Sequence, residues 1–123
     1  MAAQKRSLKV LIIDIQYWIE RGRSNSAGTN PVTFQASKSS FDAGNWAILC
    51  VGEAAGKILK YYPEFGSEEL RKQLTSAYVT RNRLAHGYYD LDAEQIWETL
   101  EFSFPELVLA LKPYISDNDE NAV

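Results

Sequence analysis

Cysteine and histidine occur once each in this chain of 123 residues, and proline only four times. A lone cysteine, Cys50, cannot close an internal disulfide. Set between Leu49 and Val51, it reads as a small buried hydrophobe in a reducing, cytoplasmic setting. One histidine and one cysteine leave an ordinary zinc site short of ligands unless carboxylates or a second chain supply them, so neither a metal nor a cofactor is expected. Long apolar runs are missing too. The stretch from Val10 to Ile13 is cut by Asp14, which is too short for an export signal or a membrane span. Strand-like alternation, internal repeats and a Gly-rich phosphate loop are also missing. A net charge of -3 and a pI near 5.1 exclude a general polyanion-binding surface, so any contact with nucleic acid has to be local.

What is present is helical periodicity. The length suits one domain, and a hydrophobic fraction of 46% is ample for a core. Leu8, Leu11, Ile12, Ile15, Trp18 and Ile19 recur at three- and four-residue steps, predicting a first helix from about Ser7 to Glu20. Gly22 to Pro31 has the composition of a loop. Phe41, Ile48, Ala55 and Tyr62, seven apart, mark a longer helix from about Ser40 to Tyr62, stopped by Pro63. Gly52 and Gly56 fall on one side of it, which fits close approach of another helix. Ser67 before Glu68, Glu69 and Leu70 caps a third helix that runs to the His86-Gly87 boundary. Asp90 or Asp92 caps a fourth, and Pro105 opens a final segment. The expectation is an all-α up-and-down bundle of four to five helices over residues 1–115, followed by a flexible acidic tail over 116–123.

Chemistry concentrates between Arg81 and Asp90, which reads Arg-Asn-Arg-Leu-Ala-His-Gly-Tyr-Tyr-Asp. An imidazole moves protons near neutral pH, and a guanidinium grips a phosphate through two hydrogen bonds; together they suit phosphodiester chemistry without a metal. In a uniform helix Arg81 and His86 lie about 140 degrees apart and roughly 7.5 Å apart along the axis. They converge more readily if the helix unwinds near His86, or if two copies share a cleft, and the latter predicts a homodimer.

Arg81, His86 and Tyr88 reproduce the Arg-x4-His-x-Tyr motif of HEPN-domain toxins, and the chain resembles the HepT-like ribonucleases of MNT–HEPN toxin–antitoxin systems. Asp14-Ile15, Val51-Gly-Glu-Ala-Ala55 and Ile96-Trp-Glu-Thr-Leu100 look like the family's other landmarks, so the resemblance spans roughly Leu8 to Tyr114. Ala47 and Leu49 depart from it, standing where polar residues often precede Gly-Glu-Ala. The resemblance implies a HEPN-like homodimer with metal-independent endoribonuclease activity in a cleft between protomers. It also implies an MNT-type nucleotidyltransferase antitoxin that transfers AMP to the motif tyrosine. On that basis His86 is the general acid/base, Arg81 the phosphate clamp, Tyr88 the modified hydroxyl and Asn82 a supporting group. Tyr89 is a neighbouring hydroxyl.

Other residues carry weaker signals. Glu53, in an otherwise apolar stretch, reads as a supporting ion-pair partner of Arg81 or a surface charge. Arg83, Tyr78 and Lys57 are candidate RNA contacts, and Lys60, Arg71 and Lys72 could extend a basic rim. Trp18, Trp46 and Trp97, at helical spacing, read as core. A different class of function is a noncatalytic helical module that docks a nucleotidyltransferase and helps present its nucleotide or substrate.

Overall fold

The computed structural model describes residues 6–86 and 92–115. All regular structure among them is helical. Four helices precede the gap: α1 (Leu8–Ser26), α2 (Pro31–Ala36), α3 (Lys38–Tyr61) and α4 (Glu68–Ala85). After it come α5 (Ala93–Glu98), a π-helical turn (Thr99–Ser103), α6 (Phe104–Leu111) and a short 3-10 turn (Lys112–Tyr114). No helix among the described residues is long and apolar enough to cross a membrane. Tyr88, Tyr89, the alternative cap Asp90 and the tail 116–123 lie outside the described residues.

The central element is α3, packed against α1 on one side and α4 on the other. Its buried face, Ala47, Ile48, Val51, Ala54, Ala55 and Ile58, follows the predicted period. It meets Leu11, Ile12, Ile15 and Ile19 of α1 and Leu70, Leu74 and Ala77 of α4 in one core. The start of α4 is where the cap predicts, with the Ser67 hydroxyl accepting from the Leu70 N–H at 3.0 Å. Asp92 rather than Asp90 caps α5, and Gln95 completes a reciprocal capping box.

Composition misread the stretch from Gly22 to Pro31. Helix α1 continues six residues past Glu20, because its small residues are packing positions rather than slack. A Cβ on Gly22 would lie 2.7 Å from the Ala47 Cβ and 2.9 Å from Leu100. Ser26 is fully buried and donates to a Glu101 carboxylate oxygen at 2.6 Å. The rest of the predicted loop holds α2, capped by Asn30 with Pro31 in its first turn, and Phe34 anchors it in the core.

Pro105 lies in the first turn of α6, as expected, but no break in the helix separates α6 from α5. The backbone stays helical from Ala93 to Leu111, and the proline, having no N–H, is accommodated by a π turn in which the Phe104 N–H reaches back to the Thr99 carbonyl. Leu100, on that turn, is fully buried and seats against Gly22 and Gly44. Two further expectations are corrected. Arg71 is no part of a basic rim, since its Nη1 donates to the carbonyls of Tyr62 and Phe65 and straps the turn between α3 and α4. Trp18 and Trp97 do pack on the core, but Trp46 is 57% exposed.

Candidate functional site

Close packing between α3 and α4 positions the site. A Cβ on Gly52 would overlap Arg81 and lie 2.8 Å from the Ala77 carbonyl oxygen, and one on Gly56 would lie 2.5 Å from the Tyr78 ring. The glycine spacing thus seats Arg81 and Tyr78 directly on α3. Arg81 emerges from this contact beside Glu53, with its Nη2 at 3.2 Å from Glu53 Oε2. Lys57, one turn along α3, is 3.8 Å from the other Glu53 oxygen. The Glu53 side chain is 51% exposed and that of Arg81 31%, so the pair adds at most about 1 kcal/mol to stability. Its effect is to orient the guanidinium.

Asn82 ties the motif together. Its side-chain oxygen accepts from Arg81 Nη1 at 3.0 Å, and its backbone carbonyl accepts from the His86 N–H at 3.1 Å. Helix α4 remains regular to Ala85, with His86 as its C-cap at φ -85 and ψ 1. Of the two routes to convergence that the spacing allowed, unwinding of the helix ahead of His86 is not taken. His86 is exposed and does not line the cleft that Arg81 lines. Arg83 is half-buried. Among the described residues the Arg81 Nε–H is buried without a hydrogen-bond acceptor, as is that of Arg23.

The cleft is a hollow of about 380 Å³ bounded by α1, α3 and α4. Trp18, Trp46 and Leu49 form its apolar wall, while Arg6, Asp14, Glu53, Lys57 and Arg81 supply charge. Arg6 and Asp14 are paired at 2.7 Å across the N-terminal end of α1. Cys50 also lines it. Burial raises the Cys50 thiol pKa, and the carboxylates of Asp14 and Glu53 push in the same direction, so the sulfur stays protonated and is a poor nucleophile. A second hollow of about 230 Å³ lies on the other side of the Arg81–Glu53 pair, lined by Gly56, Lys57, Lys60, Tyr61 and Tyr78. Among the described residues no group of three or more His, Cys, Asp and Glu side chains is placed to hold a metal ion.

Of the residues singled out in the sequence, the fold gathers Arg81, Asn82, Glu53, Lys57 and Tyr78 into one region. His86 stands at its edge. Sequence reading missed Arg6, Asp14, Cys50 and Trp46 as cleft residues. The one signal for them was Asp14, a charge breaking an apolar run at the start of the first helix.

Comparison with known proteins finds relatives over nearly the whole chain. Two relatives from Methanocaldococcus jannaschii are each 26% identical: "Putative RNase MJ1216" over 97% of this chain and 98% of its own length, and "Putative RNase MJ0125" over 94% and 97%. No solved structure matches. The model of the family "Ribonuclease HepT-like" matches residues 15–113, from the first turns of α1 to the end of the bundle, and the chain belongs to that family.

Proposed function

We propose that this chain is a metal-independent endoribonuclease of the cytoplasm, the toxin of an MNT–HEPN pair, acting as a homodimer. The observation that carries the reading is the Arg81 guanidinium in the charged cleft, held at 3.2 Å by Glu53 and at 3.0 Å by the Asn82 side-chain oxygen. In the proposed reaction a ribose 2′-OH gives its proton to a base and attacks the adjacent phosphorus. The new 2′-O–P bond replaces the P–O5′ bond, and an acid protonates the departing 5′ oxygen. Arg81 is the group that meets the charge of the pentacoordinate phosphorane, and His86 is the proton carrier.

Within one protomer His86 lies outside the Arg81 cleft, so the two functions meet best across two copies, each bringing the end of its α4 to the other. Lys57, Arg83 and Tyr78 are then placed to contact flanking RNA, with Glu53 and Asn82 as positioning groups. A nucleotidyltransferase antitoxin that adds AMP to Tyr88, next to the motif, would put a phosphate and a nucleoside where RNA must bind.

The test is digestion of total cellular RNA in EDTA by wild type, His86→Ala and Arg81→Ala, each checked for folding. Cleavage by wild type that both folded variants lose, with 2′,3′-cyclic phosphate ends, is expected. No cleavage by the unmodified wild type would favour the other reading, a docking module for a nucleotidyltransferase, which the position of His86 outside the cleft also accommodates.

A further inference from the structure

The Arg81–Glu53 pair is the wall shared by the two hollows, and each hollow has an exposed aromatic on its far side. Along α3, Trp46 precedes Glu53 by seven residues, about 10 Å of rise, while Gly56, which carries the Tyr78 ring, follows it by three, about 4–5 Å. Trp46 is 57% exposed, and Tyr78, lying over Gly56, is 40% exposed. Charge follows the same line. Among the described residues Arg6, Lys57, Lys60 and Arg81 line the two hollows against Asp14 and Glu53, a local positive excess on a chain of net charge -3. Single-stranded RNA is recognised by this combination of cations for the backbone and aromatic faces for splayed bases.

We infer that single-stranded RNA crosses the Arg81–Glu53 pair with a phosphate at Arg81, one neighbouring base stacked on Trp46 in the larger hollow and the other on Tyr78 in the smaller. This rests on the ribonuclease reading for its substrate class, and it assigns Trp46 a binding role that the chemistry of cleavage does not require. A volume of about 380 Å³ sits at the low end of ligand pockets, enough for a base with part of its ribose.

The experiment measures binding of a labelled hexaribonucleotide by fluorescence anisotropy, with every ribose 2′-O-methylated so that it cannot be cleaved. Wild type, Trp46→Leu, Trp46→Phe and Tyr78→Leu are compared as full-length chains. Trp46→Leu is expected to weaken binding roughly 5- to 150-fold, with Phe restoring most of it and the salt dependence unchanged, because the phosphate contacts remain. Tyr78→Leu should show the same loss. Unaltered binding by Trp46→Leu overturns the assignment. So does a loss of binding accompanied by a change from dimer to monomer in sedimentation, which would place Trp46 in an interface between copies. Binding that depends on Trp46 in a protein that cleaves no RNA would uphold this inference while removing the ribonuclease reading.

Discussion

Gly52 and Arg81 mark a contact between α3 and α4 so close that a methyl group at position 52 would overlap the Arg81 side chain. The glycine is a packing requirement of the site itself, since the residue that touches it carries the guanidinium of the cleft. Gly56 plays the same part for Tyr78 one turn further along, but against the flat side of an aromatic ring instead of a neighbour's Cβ and carbonyl.

These two glycines should therefore respond differently to alanine. Helix propensity favours Ala by about 0.5–1 kcal/mol at both positions. At Gly52 the obstructing atoms belong to Arg81 near its backbone and to the Ala77 carbonyl, which cannot swing away, so overpacking of about 1–3 kcal/mol wins. Gly52→Ala should lower the urea midpoint and impair Arg81 function, whereas Gly56→Ala, where the Tyr78 ring can rotate outward, should be close to neutral in stability. Equal midpoints for the two variants would contradict this account.

Glu53→Gln separates orientation from charge. The pair is exposed enough that stability should change by less than about 1 kcal/mol. On the proposed ribonuclease reading, removing a carboxylate from the Arg81 cleft should lower KM for RNA, and releasing the guanidinium from its anchor should lower kcat. Parallel changes in both constants, or neither, would show that Glu53 does not position Arg81.

Ser26 offers a test far from the cleft. Its hydroxyl is buried and donates to Glu101, whose other cation, Arg23, stands at 4.0 Å, too far for a hydrogen bond. Ser26→Ala should cost about 2 kcal/mol, because it leaves a largely buried carboxylate short of a donor. Chemical denaturation measures it, and a loss below about 0.5 kcal/mol would mean that Glu101 finds another partner.

Cys50 carries a pH prediction. Its thiol titrates above the ordinary value of 9.0 because burial, then Asp14 and Glu53, disfavour the thiolate. The folded state therefore holds this proton more tightly than the unfolded chain, so the associated stability is complete below the unfolded pKa and is lost as pH rises through the folded one. Between roughly pH 8 and pH 10 the denaturation midpoint of wild type should fall faster than that of Cys50→Ala, and iodoacetamide should label the native thiol more slowly than the unfolded one.

The period of the apolar residues, a property of each segment alone, was enough to give the chain its all-α class and the cores of α1, α3 and α4, and residue type marked the cap at Ser67 while leaving Asp90 and Asp92 both open for α5. The Gly52 and Gly56 spacing announced a close helix contact, and the motif from Arg81 to Tyr88 marked the family. What the sequence left open depends on which surfaces meet. The small residues Gly22 and Ser26 have the composition of a loop and become helix only because Ala47, Leu100 and Glu101 close over them. Trp46 has the spacing of a core residue, yet no neighbouring helix covers it, so it faces solvent at the cleft. Arg81 and Glu53, 28 positions apart, become partners only where α3 and α4 pack. Local periodicity decided which residues are helical, and tertiary contact decided which of their faces are buried, paired or left open to a ligand.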